Sequence, residues 1–451
     1  MRNNLFRLAV LLMITAPFAG MAQQNQSADK EFYLRPSYWR PYDQRGINVF
    51  ETSKAPDTIA FEGLRVRLGA GFTQQYQNLK HSNNDASNYQ TTNKLYPLTP
   101  GFMTSQANLN LDVQVADGIR MNVTTYLSAR HHNEAWVKGG YIQFDKLPFK
   151  GQFWDNLMKL ATIKIGHMEI NYGDAHFRRP DGGQTLYSPF MESNIMDAFA
   201  TEIGGEVYLQ KNGFFGMLGV TNGMIKGNVD SVDATKVADG SDKRAPSVYL
   251  KGGIDKTLSE KLRVRVSASY YHNSNSNASG LTLYGGDRTG SNYQNVMEKV
   301  PYGSALPAST GIAFSGRFNP GFTKKVDAVM LNAFLKAGAL EFFGTYEKAQ
   351  GFAKTETKDR DANQLAGELL YRFAKDKLYI GARYNTVTAR LANFSKDVSV
   401  DRVAGAAGWF LTRNVLLKAE VVQQNYKDFP ASDYRAGGKF NGYVIEAVVG
   451  F

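Results

Sequence analysis

The sequence predicts an all-β protein: a transmembrane antiparallel β-barrel of about 16 strands, with long extracellular loops and short periplasmic turns. Three observations lead to this fold class. Apolar and polar residues alternate with period two along much of the chain, as on strands whose two faces meet different surroundings. The alternating segments run to about ten residues or more, which suits a tilted membrane crossing better than a soluble strand. Long and short connections follow one another between these segments.

Composition excludes several other classes of protein. The 451 residues include no cysteine, so disulfide frameworks, thiol catalysis and Cys-ligated metal centres are excluded. Hydrophobic residues make up 43% and the mean hydropathy is −0.36, which is too polar for a bundle of membrane helices. The 52 Lys and Arg residues outnumber the 41 Asp and Glu residues. Their dispersed charge, behind an export signal, argues against a nucleic-acid-binding protein.

The first residues predict that export signal. Arg2 and Arg7 lie in a short segment without acidic residues, and an apolar, small-residue segment follows. Gly20 and Ala22 place small side chains at the −3 and −1 positions of a cleavage site after Ala22. An uncleaved anchor helix is the alternative, but the apolar segment is short and Pro17 interrupts it.

The alternation divides the chain into three regions. We predict a signal peptide at 1–22, a periplasmic N-terminal extension at 23–60 and the barrel at 61–451. Residues 262–269 illustrate the pattern, since Leu, Val, Val and Ala alternate there with Arg, Arg, Ser and Ser. The predicted strands are 61–79, 101–115, 118–132, 135–145, 160–172, 198–210, 213–226, 246–257, 261–275, 327–338, 339–350, 363–375, 377–391, 399–412, 414–426 and 440–451.

Two connections and the last residue call for separate interpretation. The connection near 132–134 is short where a long one is expected. The connection 146–159 is long where a short one is expected, and its apolar residues predict a short helix: Phe153, Trp154, Leu157, Met158 and Leu160.

Phe451 ends an alternating strand and resembles the C-terminal sorting signal of bacterial outer-membrane barrels, so we interpret it as an assembly signal read by the barrel-assembly machinery.

Three stretches carry a family resemblance. They are YDQRGINVFE at 42–51, IGHMEINYGDAHFRRPDGG at 165–183 and MDAFATEIGGE at 196–206. They resemble porins of Bacteroidota, which are grouped with the phosphate-selective porin O/P superfamily. The resemblance implies an outer-membrane porin of a Gram-negative bacterium. In that family, anion selectivity is attributed to Arg and Lys residues that line the lumen.

Every second residue of a barrel strand points inward, and this rule assigns the lumen charges. Thirteen cations result, namely Arg65, Arg67, Arg120, Arg130, Lys164, Lys251, Arg263, Arg265, Lys336, Arg372, Arg383, Arg402 and Lys418. Nine carboxylates result, namely Asp112, Glu202, Glu206, Asp255, Glu341, Glu347, Glu368, Glu420 and Glu446. A net positive lumen predicts a weak anion preference. The alternative is that these charges pair across strands and only hold the wall in place.

Nine of these cations are the predicted pore-lining residues: Arg65, Arg67, Arg120, Lys164, Lys251, Arg263, Arg265, Arg372 and Arg383. We expect the pair Arg263 and Arg265 to have few opposing carboxylates and so to influence selectivity most. Arg178 and Arg179 lie in a loop with the sequence AHFRRPDGG. That loop either folds into the channel or faces lipopolysaccharide phosphates at the surface.

The leading functional hypothesis is passive diffusion of small hydrophilic solutes, with a weak preference for anions such as phosphate. A structural or secretion-machinery-associated barrel without an open pore is the alternative. A barrel enzyme such as a phospholipase or protease lacks a supporting motif, so no catalytic residue, cofactor or metal is predicted. The expected partners are outer-membrane lipid, lipopolysaccharide and the solute. A homotrimer is compatible with sixteen strands, and no nucleic acid is expected.

Overall fold

A computed structural model describes residues 39–52, 54, 59–84, 93–103, 105–128, 136–179, 185–225, 244–276, 280–285, 291–300 and 314–451. The predicted signal peptide, its cleavage site and the first part of the N-terminal extension lie outside these residues. So do Arg130 and the short connection predicted near 132–134.

The described chain forms one antiparallel sheet. Its strands are β1 (Arg65–Ser82), β2 (Gly101–Phe102), β3 (Gln106–Ala116), β4 (Ile119–Ser128), β5 (Trp136–Phe144), β6 (Ala161–Glu169), β7 (Thr201–Lys211), β8 (Phe214–Thr221), β9 (Ser247–Ser259), β10 (Leu262–Asn273), β11 (Lys325–Ala337), β12 (Leu340–Phe352), β13 (Arg360–Phe373), β14 (Leu378–Ala389), β15 (Val398–Thr412), β16 (Val415–Lys427) and β17 (Lys439–Gly450). Each strand from β3 onward pairs with the next.

The sheet closes on itself between its first and last strands. β1 pairs with β17 from Gly71↔Gly450 to Ser82↔Lys439, and with β2 and β3 along its other edge. β2 and β3 are two parts of one crossing, so the seventeen segments make sixteen crossings of a closed barrel. Phe451 continues the last ladder, because its N–H donates to the Ala70 carbonyl (3.0 Å) and its own carbonyl accepts from Ala70 N–H (2.7 Å). The predicted fold class and strand number are confirmed.

The two faces of the wall differ as the alternation predicts. The outward face exposes large apolar side chains, for example Val66 (55%), Leu68 (63%) and Phe72 (47%) on β1. The inward face of the same strand carries Thr73 and Gln75, which are buried. An apolar exterior is the property that allows a closed barrel to lie in lipid, since its ladder leaves no free edge.

Connections of different length gather at the two ends of the barrel. The short-turn end carries the tight connections at 117–118, 212–213, 260–261, 338–339, 374–377 and 413–414. It also carries the longer connection 145–160, where the predicted helix forms as α1 (Gln152–Met158). The opposite, long-loop end carries the other connections. Within the described ranges, no helix has the length and apolar character to cross a membrane.

Two parts of the chain lie inside the wall. The mouth segment (residues 39–52) crosses the short-turn end, and the lumen segment (residues 170–179 and 185–200) enters from the long-loop end. The lumen segment is apolar in its second half, and Phe190, Ile195 and Met196 are fully buried. The cover segments (281–285, 291–300 and 314–324) pack above it, with Tyr293 and Val296 among the buried residues.

Candidate functional site: the barrel lumen

The lumen segment is bound mainly to one side of the wall, from β9 to β16, with a further contact at β7, where the Asn171 N–H donates to Glu206 (2.9 Å). Irregular backbone inside a barrel needs partners for its peptide groups, and inward-facing polar side chains supply them. The N–H groups of Met191, Ile195 and Met196 donate to Glu420 on β16 (2.8 Å), Asn385 on β14 (2.6 Å) and Gln364 on β13 (2.9 Å). The wall side chains therefore fix the path of the segment.

Wall cations bind the carbonyl groups of the same segment. Arg383 on β14 donates to the Glu192 carbonyl (2.5 Å), and Arg402 on β15 donates to the Ser193 carbonyl (2.8 Å). Lys418 on β16 donates to the Thr185 carbonyl (3.1 Å) and forms an ion pair with Glu446 (2.5 Å). These cations hold protein backbone, so they are not available to a solute in this arrangement.

A cluster of four charges joins both inserted segments to β9 and β10. Arg265 donates to Asp174 (2.8 Å) and Glu51 (2.9 Å), and Lys251 lies 2.6 Å from Asp174 and 3.0 Å from Glu51. All four side chains are at most 3% exposed. We name these four residues the anchor cluster: Glu51, Asp174, Lys251 and Arg265.

The two carboxylates of the anchor cluster remain ionised because of their cations. Burial alone would raise the pKa of Asp174, but Lys251 and Arg265 outweigh it and hold that pKa well below its usual value. The same balance lowers the pKa of Glu51, which lies in the mouth segment. The anchor cluster is therefore a charged contact at neutral pH.

A second charged contact joins the lumen segment to the cover segments. Arg317 donates to Glu192 (2.9 Å), and Glu192 also accepts from Ser291 Oγ (3.1 Å) and the Asn292 N–H (2.8 Å). Burial would raise the pKa of Glu192, but Arg317 and Arg402 lower it overall. The long-loop end of the lumen is closed at this point by chain from two different loops.

Arg178 and Arg179 lie inside the barrel, as one of the two sequence alternatives predicts. Arg178 donates to Glu368 on β13 (3.0 Å) and to Asn48 of the mouth segment, and lies 4.9 Å from the ring centroid of Phe343. Arg179 pairs with Asp197. Both arginines are buried, so they do not form a surface that faces lipopolysaccharide.

Arg263, Arg265 and Arg372 all have carboxylate partners. Arg263 binds Asp255 through two hydrogen bonds (2.8 and 2.7 Å), and Arg372 donates to Glu341 (2.9 Å). The expectation of few carboxylates opposite Arg263 and Arg265 is therefore wrong. Asp255 comes from the neighbouring strand, and Arg265 also meets the two acids of the anchor cluster.

The other side of the wall, from β1 to β7, borders empty space. A cavity of about 180 Å³ lies against β1 and β3 to β7. The strand register forms a row of polar residues across this side of the wall, in which Arg65, Gln114, Arg120, Gln143, Lys164 and Glu206 are successive cross-strand partners. Arg120, Gln143 and Lys164 of this row line the cavity. Neighbouring strands are about 4.8 Å apart, so these side chains form a continuous polar band.

Charges of both signs line this cavity. Its cations are Arg40, Arg67, Arg120 and Lys164, and its carboxylates are Glu51, Asp112 and Glu169. Arg67 donates to Asp112 (3.0 Å). Lys164 Nζ lies 3.8 Å from Glu206 Oε2 and 4.2 Å from the centroid of the Tyr141 ring. The lining is therefore polar and nearly balanced in charge.

A second pocket opens at the short-turn end. It has a volume of about 560 Å³ and is lined by the mouth segment, the β7–β8 turn, Lys54, Lys159 and Arg263. The two spaces share Phe50, Glu51 and Gln210 as lining residues. We name these three residues the neck, because they lie between the pocket and the cavity.

The predicted pore-lining residues thus fall into separate groups. Arg67, Arg120 and Lys164 line the cavity, and Arg263 lines the pocket at the mouth together with the buried Arg265. Lys251, Arg372 and Arg383 are buried in ion pairs or against the inserted segments. Arg65 donates to the Ala60 carbonyl (2.6 Å) at the short-turn end.

Sequence reasoning missed the acidic residues of the inserted segments. Glu51 precedes the first strand, and Asp174 and Glu192 lie in the connection between β6 and β7. Neither region has a strand periodicity, so the inward-facing rule does not apply there. One signal was present in the sequence. Residues 185–200 contain Leu, Tyr, Phe, Met and Ile at a density that a solvated loop does not require, and such a loop is expected to be buried.

Comparisons with known proteins concern the fold. No protein-family model matches the chain, and no curated protein matches it. An anion-selective porin from Comamonas acidovorans has a similar structure, with 11% identity, 86% of this chain and 100% of that chain covered, and a TM-score of 0.51. A loop-deletion form of the outer membrane protein OmpT of Vibrio cholerae is 12% identical, the match covers 86% of this chain and 100% of that chain, and the TM-score is 0.49. The outer membrane channel DcaP of Acinetobacter baumannii is 10% identical, the match covers 87% of this chain and 99% of that chain, and the TM-score is 0.49.

Proposed function

We propose that this protein is an outer-membrane channel through which small hydrophilic solutes diffuse passively. The polar cavity along β1–β7 is the single observation that carries this proposal. It adjoins the pocket at the short-turn end at the neck, whose three residues line both spaces, and we place the route of a solute from the mouth through the neck into the cavity. The fold shared with the anion-selective porin of Comamonas acidovorans supports a channel role.

The proposed selectivity is a weak anion preference. Four cations face three carboxylates in the cavity. In the lining of the mouth pocket, cations again outnumber carboxylates, with Lys54, Lys159, Lys211, Arg263 and Arg265 against Glu51 and Asp255. A modest positive excess in a low-dielectric wall concentrates anions there. The remaining wall cations contribute little to this preference, because protein carboxylates and carbonyl groups already bind them.

The proposal includes location and assembly. The export signal at 1–22 and the apolar exterior favour the outer membrane of a Gram-negative bacterium, with lipid and lipopolysaccharide around the wall. Phe451 is proposed as the signal for the barrel-assembly machinery, since its backbone completes the ladder with Ala70 and its side chain is 62% exposed. The chain is not proposed to be an enzyme.

Conductance in planar bilayers tests the channel. Asn122 on β4 lines the cavity, and Val123 lies beside it on the outward face. Asn122→Trp places a large side chain in the cavity and is expected to reduce the unit conductance severalfold. Val123→Trp, the matched control, adds the same side chain toward lipid and should leave conductance unchanged. Equal conductance in both variants would contradict a route along β1–β7.

A barrel without an open pore remains the second candidate function. The observation that favours it is the buried contact between the lumen segment and the cover segments at Glu192 and Arg317, which closes the long-loop end. In this case the wild-type protein, inserted in the bilayer and shifted on gels by boiling, would give no ohmic steps. Discrete ohmic steps would exclude this candidate.

A further inference from the structure

The connection between β5 and β6 carries an aromatic cluster at the short-turn end. The rings of Phe149 and Phe153 lie 5.3 and 5.1 Å from the ring of Trp154. Phe149 is 55% exposed and Phe153 is 69% exposed. Exposed aromatic rings that contact one another form an apolar patch, and such patches mark sites of interaction with a membrane or a partner.

The outer face of the barrel leads directly to this cluster. Ile142 and Ile165 form a cross-strand pair on β5 and β6, and they are 45% and 54% exposed on the outward face. The last outward pair before the connection is Phe144 with Ile163. The apolar exterior therefore extends to the last paired residues before the connection, and Phe149, the first residue of the aromatic cluster, follows five residues after Phe144.

Lysines surround the cluster. Lys146, Lys150 and Lys159 lie in the same connection and have exposed side chains. Lys146 is 2.7 Å from Asp117 in the neighbouring turn, and Lys159 Nζ donates to Asn156 (2.9 Å). Rings beside exposed lysines match the boundary of a phospholipid leaflet, where aromatic rings lie at the level of the headgroups and ammonium groups reach the phosphates.

Only part of α1 is bound to the barrel. Met158 is buried and Leu160 lines the mouth pocket, so the end of the helix is attached to the rim. Its first turn carries Phe153, whose side chain is exposed. The ends of the connection are fixed by β5 and β6, which removes the usual instability of so short a helix.

We propose that this connection is a lipid-binding site: Phe149, Phe153 and Trp154 insert at the headgroup boundary of the leaflet at the short-turn end, and the three lysines bind its phosphates. The proposal rests on the membrane location proposed above. It goes beyond that location because it assigns a specific anchor to one sector of the rim, next to the mouth pocket.

Single cysteines labelled with the fluorophore NBD test this site, since the natural chain contains no cysteine. The full-length protein is reconstituted in phosphatidylcholine vesicles, with and without phosphatidylglycerol, that contain a spin-labelled lipid quencher. The label at Phe153→Cys is expected to emit at shorter wavelength and to lose most of its emission to the lipid quencher. The label at Asp155→Cys, on the opposite side of the helix, should instead be quenched by iodide in water.

A label at Val266→Cys separates failure of this inference from failure of the membrane barrel. Val266 is 48% exposed in the outward face of β10 and should be quenched by lipid. Lipid quenching at 266 with iodide quenching at 153 overturns the anchor alone, whereas iodide quenching at both overturns the membrane location too. If Phe153→Cys fails to fold, the lipid quenching of tryptophan fluorescence is compared between the wild type and Trp154→Phe. The wild type should be quenched more strongly, and equal quenching in the two proteins would overturn the proposal.

Exchange of the three lysines for glutamine tests the role of charge. With phosphatidylglycerol present, the label at 153 in this variant should lose part of its blue shift, and without it the variant should match its parent. An unchanged spectrum in both vesicles would overturn phosphate binding by the lysines.

Discussion

The two sides of the same barrel wall use their cations differently. From β9 to β16, inward-facing Lys and Arg side chains bind protein: Lys251 and Arg265 belong to the anchor cluster, and Arg383 holds the Glu192 carbonyl. From β1 to β7, Arg67, Arg120 and Lys164 contact polar side chains of the wall and also border the cavity. Both sides follow the same alternation. What distinguishes them is which side the lumen segment covers.

This difference shows why counting inward charges is a poor guide to selectivity. A cation whose hydrogen bonds are taken by buried carboxylates contributes to the position of a segment and adds little to the field that an ion meets. Only charges beside open space act on a solute, and there they are nearly balanced. The weak anion preference proposed above follows from this balance.

The largest expected effect is the loss of the anchor cluster. Arg265→Gln leaves Glu51 and Asp174 buried with one cation in place of two. Removal of one partner from a buried ion pair costs about 3–5 kcal/mol. We expect the lumen segment and the mouth segment to detach part of the time, with larger and noisier unit conductance and a lower urea midpoint.

Arg263→Gln is the matched control for this variant. Its side chain is 30% exposed and donates to Asp255 and the Asn48 carbonyl, outside the buried anchor cluster, so the change in conductance and stability should be much smaller. If both variants conduct as the wild type does, the anchor cluster does not hold the inserted segments.

Acid should produce a related but smaller change. The pKa values of Glu51, Asp174 and Glu192 are lowered in the folded protein. A carboxylate with a lowered pKa stabilises the fold above its unfolded pKa, about 4, and this contribution is lost as pH falls toward the folded pKa. Unit conductance should therefore be steady from neutral pH down to about 5 and become larger and noisier below about 4.

Asp174→Asn is the control for the acid effect. It removes one of the three acids, so its conductance at pH 7 should already resemble that of the acidified wild type. Its further response to acid should be reduced. Steady conductance of the wild type through the whole acid range would show that these acids do not control the lumen segment.

The wall was predictable from sequence and the contents of the lumen were not. Alternation is a local property, so it located all sixteen crossings and the inward side of Arg263 and Arg265. Asp174, the residue of the lumen segment that binds Arg265, is 91 residues away from it in the chain, and no local pattern relates the two positions. The apolar character of 185–200 indicates burial, but it does not indicate which strands the segment covers.

In the connection 145–160, the sequence predicted the secondary structure but not which side chains are exposed. Its apolar spacing predicted a helix, and α1 forms there. The same spacing places Phe153 and Met158 among the apolar residues of this helix. Met158 is buried, but Phe153 is 69% exposed. Helical periodicity identifies apolar residues, but it does not indicate which of them the barrel covers.

The smallest expected effect compares one lysine from each side of the wall. Lys164 borders the cavity with a side chain that is 17% exposed, whereas Lys251 is fully buried in the anchor cluster. Lys164→Gln removes a charge from the proposed route, so the reversal potential in a salt gradient should shift slightly toward cations. The shift should be clearest at low salt, since the Debye length is about 30 Å at 0.01 M and about 8 Å at physiological ionic strength. Lys251→Gln should lower stability without a comparable shift under conditions where the lumen segment remains bound. The opposite result, a selectivity change from Lys251 and none from Lys164, would mean that ions pass along β9–β16, and the two sides of the wall would exchange their proposed roles.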